Sequence, residues 1–104
     1  METQMSQMDF RLLTTNEALR EYLLLKGEAN PYGFWKFWKD YKKVTSYDSI
    51  LRNFYILRRL GLIETARWEE GRAPSRKRYY RIVAGMEDDH RWLHPEDSLW
   101  PSKS

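Results

Sequence analysis

The chain has 104 residues, of which 41% are hydrophobic, 15% aromatic and 32% charged. This length suits one domain with a single modest core. The absence of cysteine excludes disulfides and cysteine-based metal sites, and no apolar run is long enough to span a membrane. The first eight residues lack the apolar segment of a signal peptide, so we expect a soluble, cytoplasmic protein.

The net charge of +3 is distributed unevenly along the chain. Residues 36–83 hold thirteen basic and five acidic groups, a net charge of +8, whereas residues 1–35 carry −2 and residues 84–104 carry −3. A basic block between acidic ends indicates a surface that binds a polyanion. A solvated charged surface would give the same counts, so charge alone leaves both interpretations open.

The first helix is predicted after a flexible tail at 1–10. Thr14 and Glu17 have the spacing of a capping box, which predicts that a helix starts there. It should run to about Lys26, because Gly27 supplies a left-handed stop.

A second helix is predicted from Asn30-Pro31, with proline at an early helical position. Four aromatic residues recur at i, i+3, i+4 and i+7, which makes one helical face: Phe34, Phe37, Trp38 and Tyr41. We expect this face to be core, the alternative being a platform on which nucleic-acid bases stack.

A third helix is predicted over residues 45–60, with Gly61 as its stop. Thr45 and Asp48 have capping-box spacing. The predicted apolar face consists of Ile50, Leu51, Phe54, Leu57 and Leu60. The predicted linker from the second helix is only Lys43 to Thr45, a length typical of a helix-turn-helix pair.

The hydrophobic period then changes from 3.6 to 2, which predicts a β-hairpin. Its strands should be Leu62–Trp68 and Arg76–Val83, joined by a turn-rich loop at 69–75, with Tyr80 and Ile82 in the core. The predicted domain is therefore 11–83. Residues 84–104 form an extension in which Met86–Leu93 is a candidate short helix, and its Trp92 and Trp100 should pack on this domain's core or on a partner subunit.

The predicted class is α+β, a winged helix-turn-helix with a three-helix core and a two-stranded β-hairpin wing. Three stretches carry this resemblance: Leu57–Ile63, Gly71-Arg72 and Arg78–Ile82. Over residues 14–83 the chain resembles the winged helix-turn-helix superfamily, in particular PadR-like and related MarR-like transcriptional regulators of bacteria and archaea. The resemblance implies that a recognition helix runs into a wing. The chain departs from the PadR-like pattern after residue 83, where it is too short for their long dimerisation helices.

The third helix is the candidate for reading DNA, because an α-helix fits the major groove. Arg52 is placed to read guanine and Asn53 to read adenine, since both side chains form bidentate hydrogen bonds to those bases. The other candidates on or beside this face suit phosphate or base contact: Ser46, Ser49, Tyr55 and Arg59.

The wing and the segment before the third helix supply further cations. The wing candidates are Arg72, Arg76, Lys77 and Arg78, which would lie in or beside the minor groove. Lys42 and Lys43 would bind the flanking DNA backbone. Arg58 and Arg81 fit a DNA contact as well as an ion pair with a nearby acidic residue.

Catalytic and metal sites are not expected. The only histidines, His90 and His94, are followed at once by Pro95, and no phosphate-binding glycine loop or nucleophile motif is present. We therefore expect no enzyme activity, no cofactor and no metal.

Three functions remain open from the sequence. The first is a transcriptional regulator that binds double-stranded DNA as a homodimer, since one helix and one wing rarely give enough specificity alone. Candidate dimer contacts are Ile56, Trp92, Leu99 and Trp100. The second is a winged-helix protein-interaction module in a transcription or replication assembly, motivated by the tryptophan-bearing acidic tail. The third is a non-specific architectural DNA binder.

Overall fold

The computed structural model describes residues 10–43, 45–69 and 77–94. Over these residues the protein is α+β, with three helices followed by a two-stranded antiparallel hairpin. The elements in chain order are a 3-10 helix at Phe10–Leu12, α1 (Thr15–Lys26), α2 (Pro31–Trp38), α3 (Tyr47–Arg59), β1 (Ile63–Glu69), β2 (Lys77–Ile82) and a 3-10 helix at His90–Trp92. None of the described helices has the length and apolar content needed to cross a bilayer.

The predicted caps of α1 are confirmed. The Thr14 hydroxyl accepts from the Glu17 N–H at 3.2 Å, and the Glu17 carboxylate accepts from the Thr14 N–H at 2.8 Å. At the other end Gly27 has a φ of 86°, and its N–H donates to the Leu23 carbonyl at 2.7 Å. Between these caps α1 contributes to the core the buried residues Ala18, Leu19 and Leu23.

Helix α2 ends earlier than its aromatic pattern predicts. The Asn30 side chain caps its start by accepting from the Gly33 N–H at 3.0 Å. Its end comes at Trp38, beyond which the Tyr41 N–H donates three residues back, to the Trp38 carbonyl at 2.8 Å. Such i−3 bonds tighten the chain and terminate an α-helix. The connection to α3 therefore spans residues 39–46, and the prediction of a very short linker was wrong.

The predicted cap of α3 was displaced by one residue. Ser46, and not Thr45, has its side chain bonded to the helix, accepting from the Ser49 N–H at 3.1 Å. The Thr45 carbonyl instead accepts from the indole N–H of Trp35 at 3.1 Å, which anchors the connection. Asp48 remains exposed in the first turn, where a negative charge complements the helix dipole.

The apolar face of α3 is narrower than predicted. Ile50, Phe54 and Leu57 are buried and Leu60 packs against the core, whereas Leu51 is 40% exposed. At about 100° per residue, Leu51 lies roughly 60° around the helix from Phe54. That rotation turns it toward the hairpin and out of the core.

The hairpin is confirmed, with the described strand bounds shifted by about one residue. It contains a β-bulge between Thr65 and Arg67, beyond which Trp68 stands opposite Arg78. A regular ladder continued from Thr65 would place Arg67 opposite Arg78 and turn Trp68 to the other face, because side chains alternate along a strand. The bulge therefore determines which side chain of β1 meets Arg78.

The hairpin is also tied directly to the helical layer. Ala29, between α1 and α2, forms an isolated antiparallel bridge with Tyr80 of β2. The Ala29 N–H donates to the Tyr80 carbonyl at 3.0 Å, and the Tyr80 N–H donates to the Ala29 carbonyl at 2.8 Å. Tyr80 is buried and Ile82 packs on the core, as predicted. The hairpin base is thus fixed relative to the start of α2.

The described part of the C-terminal extension packs on its own domain. Trp92 is fully buried, and its indole N–H donates to the Met86 carbonyl at 2.8 Å. The prediction of Trp92 as an exposed dimer contact was therefore wrong. Ile56 is partly buried, and Leu99 and Trp100 lie outside the described residues.

The helix predicted over Met86–Leu93 does not form, except for the 3-10 turn at His90–Trp92. Polar contacts also hold the extension in place. Asp89 caps this turn through the Arg91 N–H at 2.9 Å. The pKa of Asp89 is lowered to about 2, because the Arg91 side chain and backbone both bond to its carboxylate. Arg20 of α1 donates to the Glu87 carbonyl at 3.3 Å.

Candidate nucleic-acid interface

The outward face of α3 brings three predicted site residues together. Arg52, Tyr55 and Arg59 are exposed, and at about 100° per residue they fall within roughly 60° of one another around the helix. The Arg59 guanidinium donates to the Tyr55 hydroxyl at 2.9 Å and lies 5.7 Å from the centre of its ring. No described residue pairs with Arg52, so its five donors face outward from the middle of the helix.

The flank of α3 is less available than the sequence predicts. The Ser46 hydroxyl donates to the Ser49 hydroxyl at 3.0 Å in addition to its capping role. Ser49 is exposed and retains its own proton for donation to a phosphate or base. Asn53 is only half-exposed. The strongest candidates on α3 are therefore Arg52, Tyr55 and Arg59.

The two lysines before α3 lie in the turns of the 39–46 connection. Lys43 is exposed, whereas Lys42 is half-buried with its ammonium 5.6 Å from the centre of the Trp38 ring. Lys39 stacks in the same way on Trp35, at 4.4 Å. Cation–π contacts of this kind hold an ammonium group in place without neutralising it.

Of the predicted wing residues, Lys77 and Arg78 are described, and Arg72 and Arg76 lie outside the described residues. Arg78 points toward α3: its guanidinium lies 4.5 Å from the Trp68 ring centre and donates to the Tyr80 hydroxyl at 3.0 Å. Lys77 is exposed beside it.

A groove lies between the start of α2, the first turns of α3 and the hairpin, and sequence reasoning did not predict it. Its volume is about 580 Å³, and the described residues that line it are Asn30, Pro31, Tyr32, Tyr47, Leu51, Trp68, Lys77, Arg78 and Tyr80. The i, i+4 spacing of Tyr47 and Leu51 was the available signal, because it places both on one side of α3. Around the helix this side adjoins the Arg52 face.

Two lining residues of the groove, Tyr32 and Tyr47, belong to an aromatic cluster that α2 and α3 form with Trp35. The ring centres of Tyr32, Trp35 and Tyr47 are 5.6–5.9 Å apart in all three pairs. Burial raises the pKa of Tyr47, with Tyr32 and Asp48 acting in the same direction. Tyr47 therefore keeps its hydroxyl proton and can donate a hydrogen bond into the groove.

The opposite face of the hairpin is electrostatically different. Arg67 donates to the Glu28 carboxylate at 2.8 Å, and Arg81 donates to the Glu64 carboxylate at 2.8 Å. Arg81, which the sequence left between a DNA contact and an ion pair, is thus in an ion pair. Arg58 is exposed at the C-terminal end of α3. Arg67 and Arg81 on this face are thus paired with carboxylates, whereas Arg78 on the groove face has no described carboxylate partner.

The described residues contain no group of three histidine, cysteine, aspartate or glutamate side chains arranged to hold a metal ion. No protein-family model matches the chain, and no curated protein or solved structure matches it either. The case for a function therefore depends on the geometry and charge of the molecule itself.

Proposed function

We propose that this protein is a winged-helix regulator that binds double-stranded DNA, with α3 in the major groove and the hairpin against the flanking backbone. The observation that carries the proposal is Arg52, which is exposed on α3 and has no partner among the described residues. It lies beside a hairpin whose α3-facing Arg78 has no described carboxylate partner. An exposed arginine at mid-helix is positioned for bidentate contact with guanine.

The layout supports the same proposal. Three helices precede an antiparallel hairpin, and the bridge between Ala29 and Tyr80 holds the hairpin base against the helices. Because these two hydrogen bonds tie the hairpin to the helices, α3 and the hairpin can engage one duplex together. The net charge of +8 over residues 36–83 adds attraction to phosphate.

The proposal is tested by selecting duplexes from a random pool and titrating the selected duplex by fluorescence anisotropy at several salt concentrations. Arg52→Gln should weaken binding by about 1–3 kcal/mol and relax preference at one base position. Arg81→Gln is the matched control, since it removes the same charge from an exposed arginine held by Glu64 on the far face of the hairpin. Failure to bind any duplex at low salt would refute the proposal.

We also propose that the regulator acts as a homodimer, because a single reading helix gives limited specificity. With Trp92 buried, the exposed apolar side chains of α1, Leu24 and Leu25, are better candidates for the contact. Sedimentation equilibrium with and without duplex measures the stoichiometry, and Leu25→Lys should reduce self-association while leaving the monomer folded.

The second candidate function is a protein-interaction module, and the same exposed leucines of α1 are the observation that favours it. The two functions respond differently to substitution. Under the interaction hypothesis Arg52→Gln leaves partner binding intact, and no duplex is bound in the salt titration.

A further inference from the structure

The groove between α3 and the hairpin has the composition of a site for an anion. Its described lining residues include two cations and no carboxylate, in a chain that contains fifteen acidic residues. Arg67 and Arg81, on the other face of the hairpin, are each bonded to a glutamate. Among the described residues, Arg78 on the groove face has no such partner.

Arg78 is held in the groove without being neutralised. Its guanidinium stacks over Trp68, bonds to the Tyr80 hydroxyl, and has a buried Nε without a hydrogen-bond partner. Stacking on an aromatic ring fixes the guanidinium plane and leaves its charge uncompensated. An anion bound in the groove would therefore meet a cation that is already oriented.

The remaining lining presents aromatic rings. Tyr32, Tyr47 and Trp68 are each exposed by 36–47%, the two tyrosines coming from the helices and Trp68 from the hairpin, and Leu51 also lines the groove. Exposed rings next to cations are the features with which proteins bind unpaired nucleotides, since the base stacks on a ring and the phosphate meets the charge. The volume lies within the range of small-ligand sites, about 300–1,000 Å³.

We propose that this groove binds one unpaired nucleotide of a single-stranded DNA segment, a function beyond duplex binding. A base inside a duplex has both faces covered by its neighbours, so only an unstacked base presents a face to these rings. Because the groove adjoins the Arg52 face around α3, a strand leaving a duplex bound there would pass its opening.

The test uses the full chain and a labelled oligothymidylate of roughly ten nucleotides, a length that covers a short single-strand site. Binding is followed by anisotropy and by quenching of tryptophan fluorescence. Trp68→Leu should weaken binding about tenfold, because it keeps apolar volume but removes the ring, and Trp68→Phe should recover most of the loss. Tyr41→Leu is the matched control, since Tyr41 is a similarly exposed aromatic outside the groove.

Several outcomes would overturn the inference. These are no binding of the oligothymidylate, an equal effect of Trp68→Leu and Tyr41→Leu, or equally tight binding of free thymidine monophosphate. An equal loss on a blunt duplex would show that the groove contacts the duplex backbone instead. If Trp68→Leu loses its folded circular dichroism, Tyr32→Leu in the same groove replaces it.

The inference and the proposed function fail separately. Duplex binding by the wild-type chain without single-strand binding would remove the inference alone. Single-strand binding without duplex binding would remove the proposed function and leave the inference standing. Arg52→Gln should affect the duplex arm more than the oligothymidylate arm, because Arg52 is not part of the groove lining.

Discussion

Replacement of Trp92 by alanine should destabilise the domain severely. Trp92 is among the largest fully buried side chains, and it packs against the helical core from a segment that would otherwise be a loose extension. Truncation of a buried aromatic residue to alanine costs about 3–5 kcal/mol. Small domains have about 5–15 kcal/mol of stability in total, so this single change removes a large share of it.

The indole N–H contributes a separable part of that cost. In Trp92→Phe most of the apolar contact remains, but the Met86 carbonyl loses the donor that now lies 2.8 Å away. The Met86 carbonyl still accepts from the Asp89 N–H at 3.3 Å, so the substitution removes one hydrogen bond and leaves no orphaned acceptor. A hydrogen bond contributes about 0.5–1.5 kcal/mol, so Trp92→Phe should fall between wild type and Trp92→Ala. Leu93→Ala is the control, because Leu93 is the next residue and is 50% exposed. Its cost should be within about 0.5 kcal/mol, as for other surface substitutions.

Urea unfolding followed by far-UV circular dichroism measures all three variants, repeated at two protein concentrations. The reasoning predicts unfolding midpoints in the order wild type, Trp92→Phe, Trp92→Ala, and a Trp92→Ala effect that does not depend on concentration. A cost below about 1 kcal/mol for Trp92→Ala would show that Trp92 is not core. A destabilisation that appears only at high protein concentration would show instead that Trp92 contacts a partner subunit.

Three further predictions test local conclusions. Ser46→Ala should cost about 1 kcal/mol in thermal or urea unfolding because it removes the cap of α3, and a larger loss from Thr45→Ala would contradict that assignment. Leu57→Ala should lower the free energy of unfolding by about 2–5 kcal/mol because Leu57 is buried. Leu51 is exposed, so Leu51→Ala should lower it by well under half of that, and equal losses would show that both residues are core. The folded pKa of Asp89 is about 2, below its ordinary 3.8, so its contribution to stability is present above about pH 4 and is lost as the pH falls toward 2. Asp89→Asn should therefore reduce the fall of the urea midpoint between about pH 4 and pH 2. An unchanged fall would contradict the pairing of Asp89 with Arg91.

Local signals in the sequence predicted the helices and strands well because each depends on residues close in the chain. The capping box of Thr14 and Glu17 and the left-handed Gly27 involve contacts within four residues, so spacing alone identified them. The error at the cap of α3 arose because two adjacent residues could satisfy the same local rule. Thr45 and Ser46 both suit an N-cap, and the indole of Trp35, ten residues earlier in the chain, holds the carbonyl of Thr45.

The candidate site likewise has one part that the sequence predicts and one part that it does not. The Arg52 face of α3 follows from helical periodicity, which requires only that the helix forms and that its apolar stripe be buried. The groove does not follow from periodicity, because its residues come from two helices and both strands of the hairpin, which are distant in sequence. The sequence also could not decide where Trp92 is buried, since an apolar side chain in a short extension can pack on its own core or on a partner.

The sequence by itself determined the order of elements, the concentration of basic charge in residues 36–83 and the outward direction of Arg52. The tertiary structure decided that Trp92 closes the core, that Leu51 faces a groove, and that Trp68 meets Arg78 across a β-bulge. The physical reason is that period and propensity specify the direction of a side chain within its own element. Which surface it then meets depends on how the elements pack, and at Trp68 one extra residue in β1 reverses the face.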